Sequence, residues 1–159
     1  MPTKQKKSNN ADNPKKGMLF ENEAKEYFKN KLNLSLERGL SLKISANGKE
    51  KGEHKFDLGS KQEKIIIECK SHKWTAGYNA PSAKMSVWNE AMYYFHLAPK
   101  DYRKIFFVLK DENKKKKDKN GQSQTLANYY ISRYRHLIPK GVEIWEYDQE
   151  KEDIKIYSF

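Results

Sequence analysis

Lys55-Phe56-Asp57 and, after a short turn, Ile65-Ile66-Ile67-Glu68-Cys69-Lys70 are the stretch on which the reading of this chain turns. Each is a short apolar run that ends in charge. An acid closes the first, and an acid and a lysine one residue apart close the second. Strand side chains alternate faces with period two. Glu68 and Lys70 therefore share a face with Ile66, while Ile65, Ile67 and Cys69 line the other face and are free to be buried. A hairpin between the two runs brings Asp57 alongside Glu68, so two carboxylates and an ammonium converge near the end of a strand pair.

That combination suits a hard divalent cation beside a phosphate. Mg²⁺ takes oxygen ligands near ~2.1 Å and keeps several waters, so one or two carboxylates plus substrate phosphate suffice. The backbone carbonyl of Cys69, at a strand end, offers a further oxygen. Lys70 is placed to orient or deprotonate an attacking water and to steady charge in the transition state. An E-x-K triplet on a strand is by itself often no more than a solvated edge pair. Here the strand is apolar on both sides of the acid, which puts that face partly in the interior, where unpaired charge is expensive.

Outward from this pair the chain alternates helical and extended patterns. Residues 1–12 are polar and Lys/Asn-rich and read as a disordered basic arm, leaving 13–159 as a single domain. Asn13-Pro14 is placed to cap a first helix that carries Phe20, Ala24, Tyr27 and Phe28 at helical spacing to about Leu32, with Glu21 at the edge of that stripe. Leu40, Leu42, Ile44 and Ala46 alternate with polar residues as a first strand, and Asn47-Gly48 begins a turn. His54–Leu58 and Lys64–Ser71 are the next two strands. Trp74–Pro81 is an irregular connection, and Met85, Trp88, Met92 and Phe95 mark a helix over Ser82–Leu97, ended by Ala98-Pro99. Ile105–Leu109 has the pattern of a strand covered on both faces. Lys110–Gln124 reads as a mobile lysine-rich loop. Thr125 caps a third helix bearing Leu126, Tyr129, Tyr130, Tyr134 and Leu137. Strands over Val142–Tyr147 and Ile154–Phe159 follow, the last at an edge. The order α-β-β-β-α-β-α-β-β predicts an α/β fold, a mixed sheet flanked by helices.

Composition narrows the partners. Of 159 residues, 36% are hydrophobic and 33% charged, and the net charge is +11. Such a balance favours a polyanion, with nucleic acid ahead of a membrane surface. No apolar run reaches the length of a membrane span, and none follows Met1 in the manner of a signal peptide. Cys69 is the one cysteine, so no intramolecular disulfide forms and a reducing cytoplasm is the expected setting. His54, His72, His96 and His136 show no zinc spacing.

Gly17-Met18-Leu19-Phe20-Glu21 on the first helix, Phe56-Asp57 on the second strand and Glu68-Cys69-Lys70 on the third resemble the PD-(D/E)XK superfamily of restriction-endonuclease-like nucleases. The resemblance covers roughly Asn13 to Leu109 and implies that superfamily's α-β-β-β-α-β core. It implies that Asp57 and Glu68 bind metal, that Lys70 is the catalytic lysine, and that Glu21 is an additional acid acting directly or through water. The implied activity is Mg²⁺-dependent hydrolysis of DNA phosphodiester bonds, with Mn²⁺ as a substitute ion. A two-fold homodimer would let one site cut each strand.

Around this centre, His72 and Lys73 follow the motif and either meet the scissile phosphate or leave the strand into solvent. Trp74 and Tyr78 either stack on bases or plug the core. Lys114, Lys115, Lys116 and Lys117 form the densest positive run, read as a phosphate-tracking arm or as a solvated loop. Two competing readings are a non-catalytic nucleic-acid-binding module and the nuclease subunit of a larger restriction or repair assembly.

Overall fold

The computed structural model describes residues 12–159, so the expected basic arm lies outside the described residues except for its last position. The first helix, α1 (Asp12–Leu32), begins one residue before the expected cap. Pro14 thus sits within the first turn, where a missing N–H is harmless. Phe20, Ala24 and Phe28, spaced by four, are buried along one face. Asn33, in the left-handed region at φ 54°, ends the helix.

Six strands form one mixed sheet: β1 (Glu37–Ile44), β2 (Gly52–Ser60), β3 (Ile65–Lys70), β4 (Arg103–Leu109), β7 (Val142–Asp148) and β8 (Asp153–Ser158), in the spatial order β1-β2-β3-β4-β7-β8. The middle strands β3, β4 and β7 run parallel, and β1, β2 and β8 are antiparallel to their neighbours. Near-continuous apolar runs such as Ile105–Leu109 belong in this centre because both of their faces are covered. β8 lies at an edge, as its charged alternation predicts.

The two faces carry separate cores. On one, α1 packs Phe20, Ala24 and Phe28 against Ile65, Ile67, Cys69, Phe107 and Trp145. On the other, α2 (Ser82–Leu97) and α3 (Leu126–Tyr134) pack Trp88, Met92, Phe95 and Tyr130 against Phe56, Ile66, Phe106 and Ile144. The period-two split of β3 is therefore realised as expected. α2 has the predicted bounds. The Thr125 hydroxyl caps α3 by accepting the Asn128 N–H at 3.1 Å. α3 stops at Tyr134 and continues as one 3₁₀ turn, Arg135–Leu137, which leaves Leu137 exposed rather than on the apolar stripe.

The expected mobile loop over Lys110–Gln124 is instead a two-stranded ribbon, β5 (Glu112–Lys117) against β6 (Ser123–Thr125). Asn113 anchors it. Fully buried, its Nδ2 donates to the Tyr78 carbonyl at 2.8 Å, and its Oδ1 accepts the Lys115 N–H at 3.0 Å. A lysine run hides this because the ordering comes from one asparagine and from a loop more than thirty positions earlier.

Gly59 shows how tightly β2 sits in the sheet. A Cβ there would lie 2.5 Å from Leu40 Cδ2 and 2.8 Å from the Ile65 carbonyl oxygen, and the latter is backbone that cannot swing aside. Gly59→Ala is expected to destabilise the protein by about 1–3 kcal/mol, read from the urea midpoint at unchanged slope.

Candidate functional site

β2 and β3 pair only through Leu58–Ile67, Gly59–Ile66 and Ser60–Ile65. Beyond Leu58 they separate, and the alternation of β2 breaks at Asp57. Phe56 joins the core under α2, whereas Leu58 joins the core under α1. On the neighbouring strand, opposite this kink, Gly39 adopts φ +65°, a conformation that suits glycine. Asp57 therefore does not pair with Glu68 as a regular hairpin requires. Its Oδ2 instead accepts the backbone N–H of Cys69 at 2.7 Å, standing in for the missing ladder bond. The N–H and C=O of a strand residue point to the same side, so the Cys69 carbonyl also faces the gap that β2 leaves.

That gap is the inner end of a cleft of about 530 Å³ between α1 and the start of α2. Glu21, Asp57, Cys69, Lys70, His72 and Lys73 line it, joined by Lys16, one of the basic residues near the start of the chain that read as phosphate-tracking, and by Lys84, which no sequence pattern marked. Four lysines against two acids make the cleft cationic. Burial is the main reason that the Asp57 carboxyl is pushed up to about 7, and the Glu68 charge is the next. Glu21 adds to this rise, while Lys70 and the Cys69 N–H oppose it. One Glu21 oxygen accepts from Arg38 at 2.8 Å.

Glu68 sits behind the cleft rather than in its wall. It is 5% exposed, with Oε1 2.8 Å from His54 Nε2 and Oε2 3.5 Å from Lys70 Nζ. His54 belongs to no zinc spacing and lies outside the motif, so only its contact with Glu68 marks it. It stacks on Tyr94 at 3.6 Å between ring centroids and so holds Glu68 in place. A period-two reading from Phe56 back to His54 would have put both on the same face.

His72 is fixed by its neighbour. The Trp88 indole N–H can only donate, and it lies 2.8 Å from His72 Nδ1. Nδ1 must therefore be bare and the proton must sit on Nε2, which makes His72 a neutral donor in the cleft wall. Its pKa is lowered to about 4, chiefly by burial and then by Lys84 and Lys70.

Trp74 takes the second of the two roles open to it, plugging the core rather than stacking on bases. It is 7% exposed, its indole N–H donates to the Asp111 carbonyl at 3.0 Å, and Tyr129 packs edge-on at 5.3 Å. Its faces are therefore not offered to bases. Lys114–Lys117 are exposed along β5, with Lys115 over the Tyr78 ring and Lys116 over Trp74.

Among the described residues no three His, Cys, Asp or Glu side chains converge as a ready-made metal site. Of the four groups expected to hold a cation, Glu21, Asp57 and the Cys69 carbonyl lie at the cleft, whereas Glu68 stands behind it with its oxygens turned to His54 and Lys70. Hard oxygen donors of this kind fit Mg²⁺ or Mn²⁺. Burial first and the Glu68 charge second raise the Asp57 pKa, and a divalent ion bound there would favour the ionised carboxylate. Comparison of the chain with protein-family models, with curated proteins and with solved structures finds no match.

Two pH effects of opposite sign follow. The folded state holds a proton on Asp57 from its ordinary 3.8 up to about 7, so this group favours folding as pH falls through that window. His72 resists protonation down to about 4 against an ordinary 6.5, so it disfavours folding as pH falls between those values. In metal-free protein, Asp57→Asn is expected to make the thermal midpoint fall more steeply on acidification from pH 7 to 4. His72→Gln, which keeps an acceptor for Trp88, is expected to make it fall less steeply. Nitrogen-15 shifts of the His72 ring at pH 7 should report a bare Nδ1 and a protonated Nε2, and the opposite tautomer would contradict the Trp88 contact.

Proposed function

We propose that this protein is a Mg²⁺-dependent DNA endonuclease of the PD-(D/E)XK kind. The observation that carries the reading is the placement of Asp57, the Cys69 carbonyl and Lys70 around one cationic cleft, where β2 parts from β3. Carboxylates there would repel a phosphodiester, so a purely binding surface has no use for them unless a cation intervenes.

The chain's own groups have distinct tasks. Lys16 and Lys84 on opposite walls of the cleft hold the phosphodiester by charge. Lys70 Nζ, anchored by Glu68 Oε2 at 3.5 Å, faces the attacking water and counters the negative charge on the phosphoryl oxygens in the transition state. His72 Nε2–H donates to a non-bridging or leaving oxygen without changing charge. Glu68, clamped by His54, sets the position of Lys70 and the field at Asp57. A bound Mg²⁺ supplies Lewis acidity toward the phosphate and lowers the pKa of water. Lys114–Lys117 on β5 add phosphate contacts without sequence information.

One observation favours the competing reading of a non-catalytic nucleic-acid-binding module. Both Glu68 oxygens already have basic partners, and Glu68 does not line the cleft. Nicking of supercoiled plasmid separates the two. The endonuclease reading expects nicking with Mg²⁺ or Mn²⁺, none with EDTA, and a rate loss of about 100-fold or more in Lys70→Ala and Asp57→Asn. Salt-sensitive DNA binding with no nicking under any of these ions, or full activity in both variants, would replace the enzyme with the binding module.

A further inference from the structure

A second cleft of about 530 Å³ opens between the β5–β6 ribbon, the start of α3 and the β7–β8 hairpin. It joins the first. Lys73 lines both the Asp57 cleft and a shallower depression beside it, and Lys110, Glu112 and Asp148 line both that depression and the second cleft. A trough thus passes along the carboxyl ends of β3, β4 and β7, the end at which α/β sheets gather their ligands.

Glu146 gives this second cleft its chemistry. On β7, Val142 and Ile144 belong to the core under α2 and α3, and period two carries Glu146 to the same side. It lines the cleft yet is only 3% exposed, and its Oε2 has no hydrogen-bond partner among the described residues. Burial pushes its pKa up, against the opposing influence of the Thr125 hydroxyl, Lys155 and Lys110. The other polar groups are largely occupied with one another. Lys110 is held by Asp148 at 3.1 Å and Glu112 at 3.3 Å. Asp118 accepts the N–H groups of Asn120 and Gln122 at 2.8 and 3.0 Å. What the cleft lacks is an N–H donor aimed at Glu146.

A phosphate is not the occupant. Glu112, Asp118, Glu146, Asp148 and Asp153 outnumber Lys110 and Lys155 in the lining, which reverses the sign found in the first cleft. Of the parts of a nucleotide strand whose phosphates lie in the first cleft, the base is the one that an acidic second cleft accepts, because further phosphates are repelled there. We infer that the second cleft takes the amino-bearing edge of an unpaired nucleobase, with Glu146 Oε2 accepting from the exocyclic amine. The class of ligand rests on the nuclease reading above. Cytosine, adenine and guanine each carry such an amine. Thymine's one N–H lies between two carbonyl oxygens that an acidic wall repels. The base must leave its stack to enter, as in a single strand or an extruded nucleotide.

The test is a titration of the full-length, nitrogen-15-labelled protein, without metal, with deoxycytidine, deoxyadenosine, deoxyguanosine and thymidine. The amine-bearing nucleosides should shift signals around Thr125, Glu146 and Tyr157, with thymidine about tenfold weaker or absent. Glu146→Leu should weaken the three by about tenfold while raising the thermal midpoint, because an unpartnered buried acid gives way to an apolar side chain. The inference is overturned if thymidine binds there equally well, if no nucleoside perturbs the cleft, or if Glu146→Leu binds like the parent. It is also overturned if Mn²⁺ alone broadens those signals, since the occupant would then be a cation. Nucleosides have no phosphodiester bond, so this result is independent of DNA cleavage. Plasmid nicking without nucleoside binding overturns this inference alone, and nucleoside binding without nicking overturns the endonuclease alone.

Discussion

The hydrogen bond from the Cys69 backbone N–H to Asp57 is the constraint on which this architecture depends. Backbone polar groups inside a protein must be paired, yet β2 leaves β3 after Leu58 and takes the regular partner of Cys69 with it. A side-chain carboxylate fills that role. The same act fixes Asp57 at the mouth of the cleft, brings it within the field of Glu68, and opens the space in which Lys70 and His72 meet solvent. Fold and site are joined at this one bond, because the gap in the sheet is itself the cleft.

Charge is distributed between the two clefts in a way that net charge conceals. The chain is strongly cationic as a whole, and the first cleft follows that bias with Lys16, Lys70, Lys73 and Lys84. The second, reached past Lys73 and Lys110, reverses it. The cationic cleft suits an anion, and the acidic one disfavours it. The β5–β6 ribbon borders the second cleft as a fixed wall. Asn113 to Tyr78 and Trp74 to Asp111 tie it to the loop that follows β3, so its lysines are carried by a rigid support rather than by a tether.

Much of this was legible in the sequence where local pattern and tertiary packing agree. The Ile65–Lys70 run showed its two faces, Met85, Trp88, Met92 and Phe95 marked α2, and Thr125 announced a helix. The ribbon was not legible, since four consecutive lysines resemble a solvated loop and only a buried asparagine orders them. Leu137 fitted a helical stripe that the chain abandons one turn too early. At the site, Asp57, Lys70 and Glu21 line one cleft as their order along the chain suggested, but the withdrawal of Glu68 into a clamp with His54 depends on Tyr94 from another element. The Trp88 contact that sets the tautomer of His72 spans sixteen residues and leaves no periodic trace.

Cys69 has a further significance through its side chain. While its backbone serves the cleft, its thiol points the other way, 7% exposed in the layer under α1, where burial lifts its pKa well above the ordinary range. A thiol reagent can reach it only when α1 lifts from the sheet. The molecule therefore contains an internal stopwatch: the rate at which this single thiol is alkylated measures how often the floor of the cleft breathes, with no cysteine engineered in.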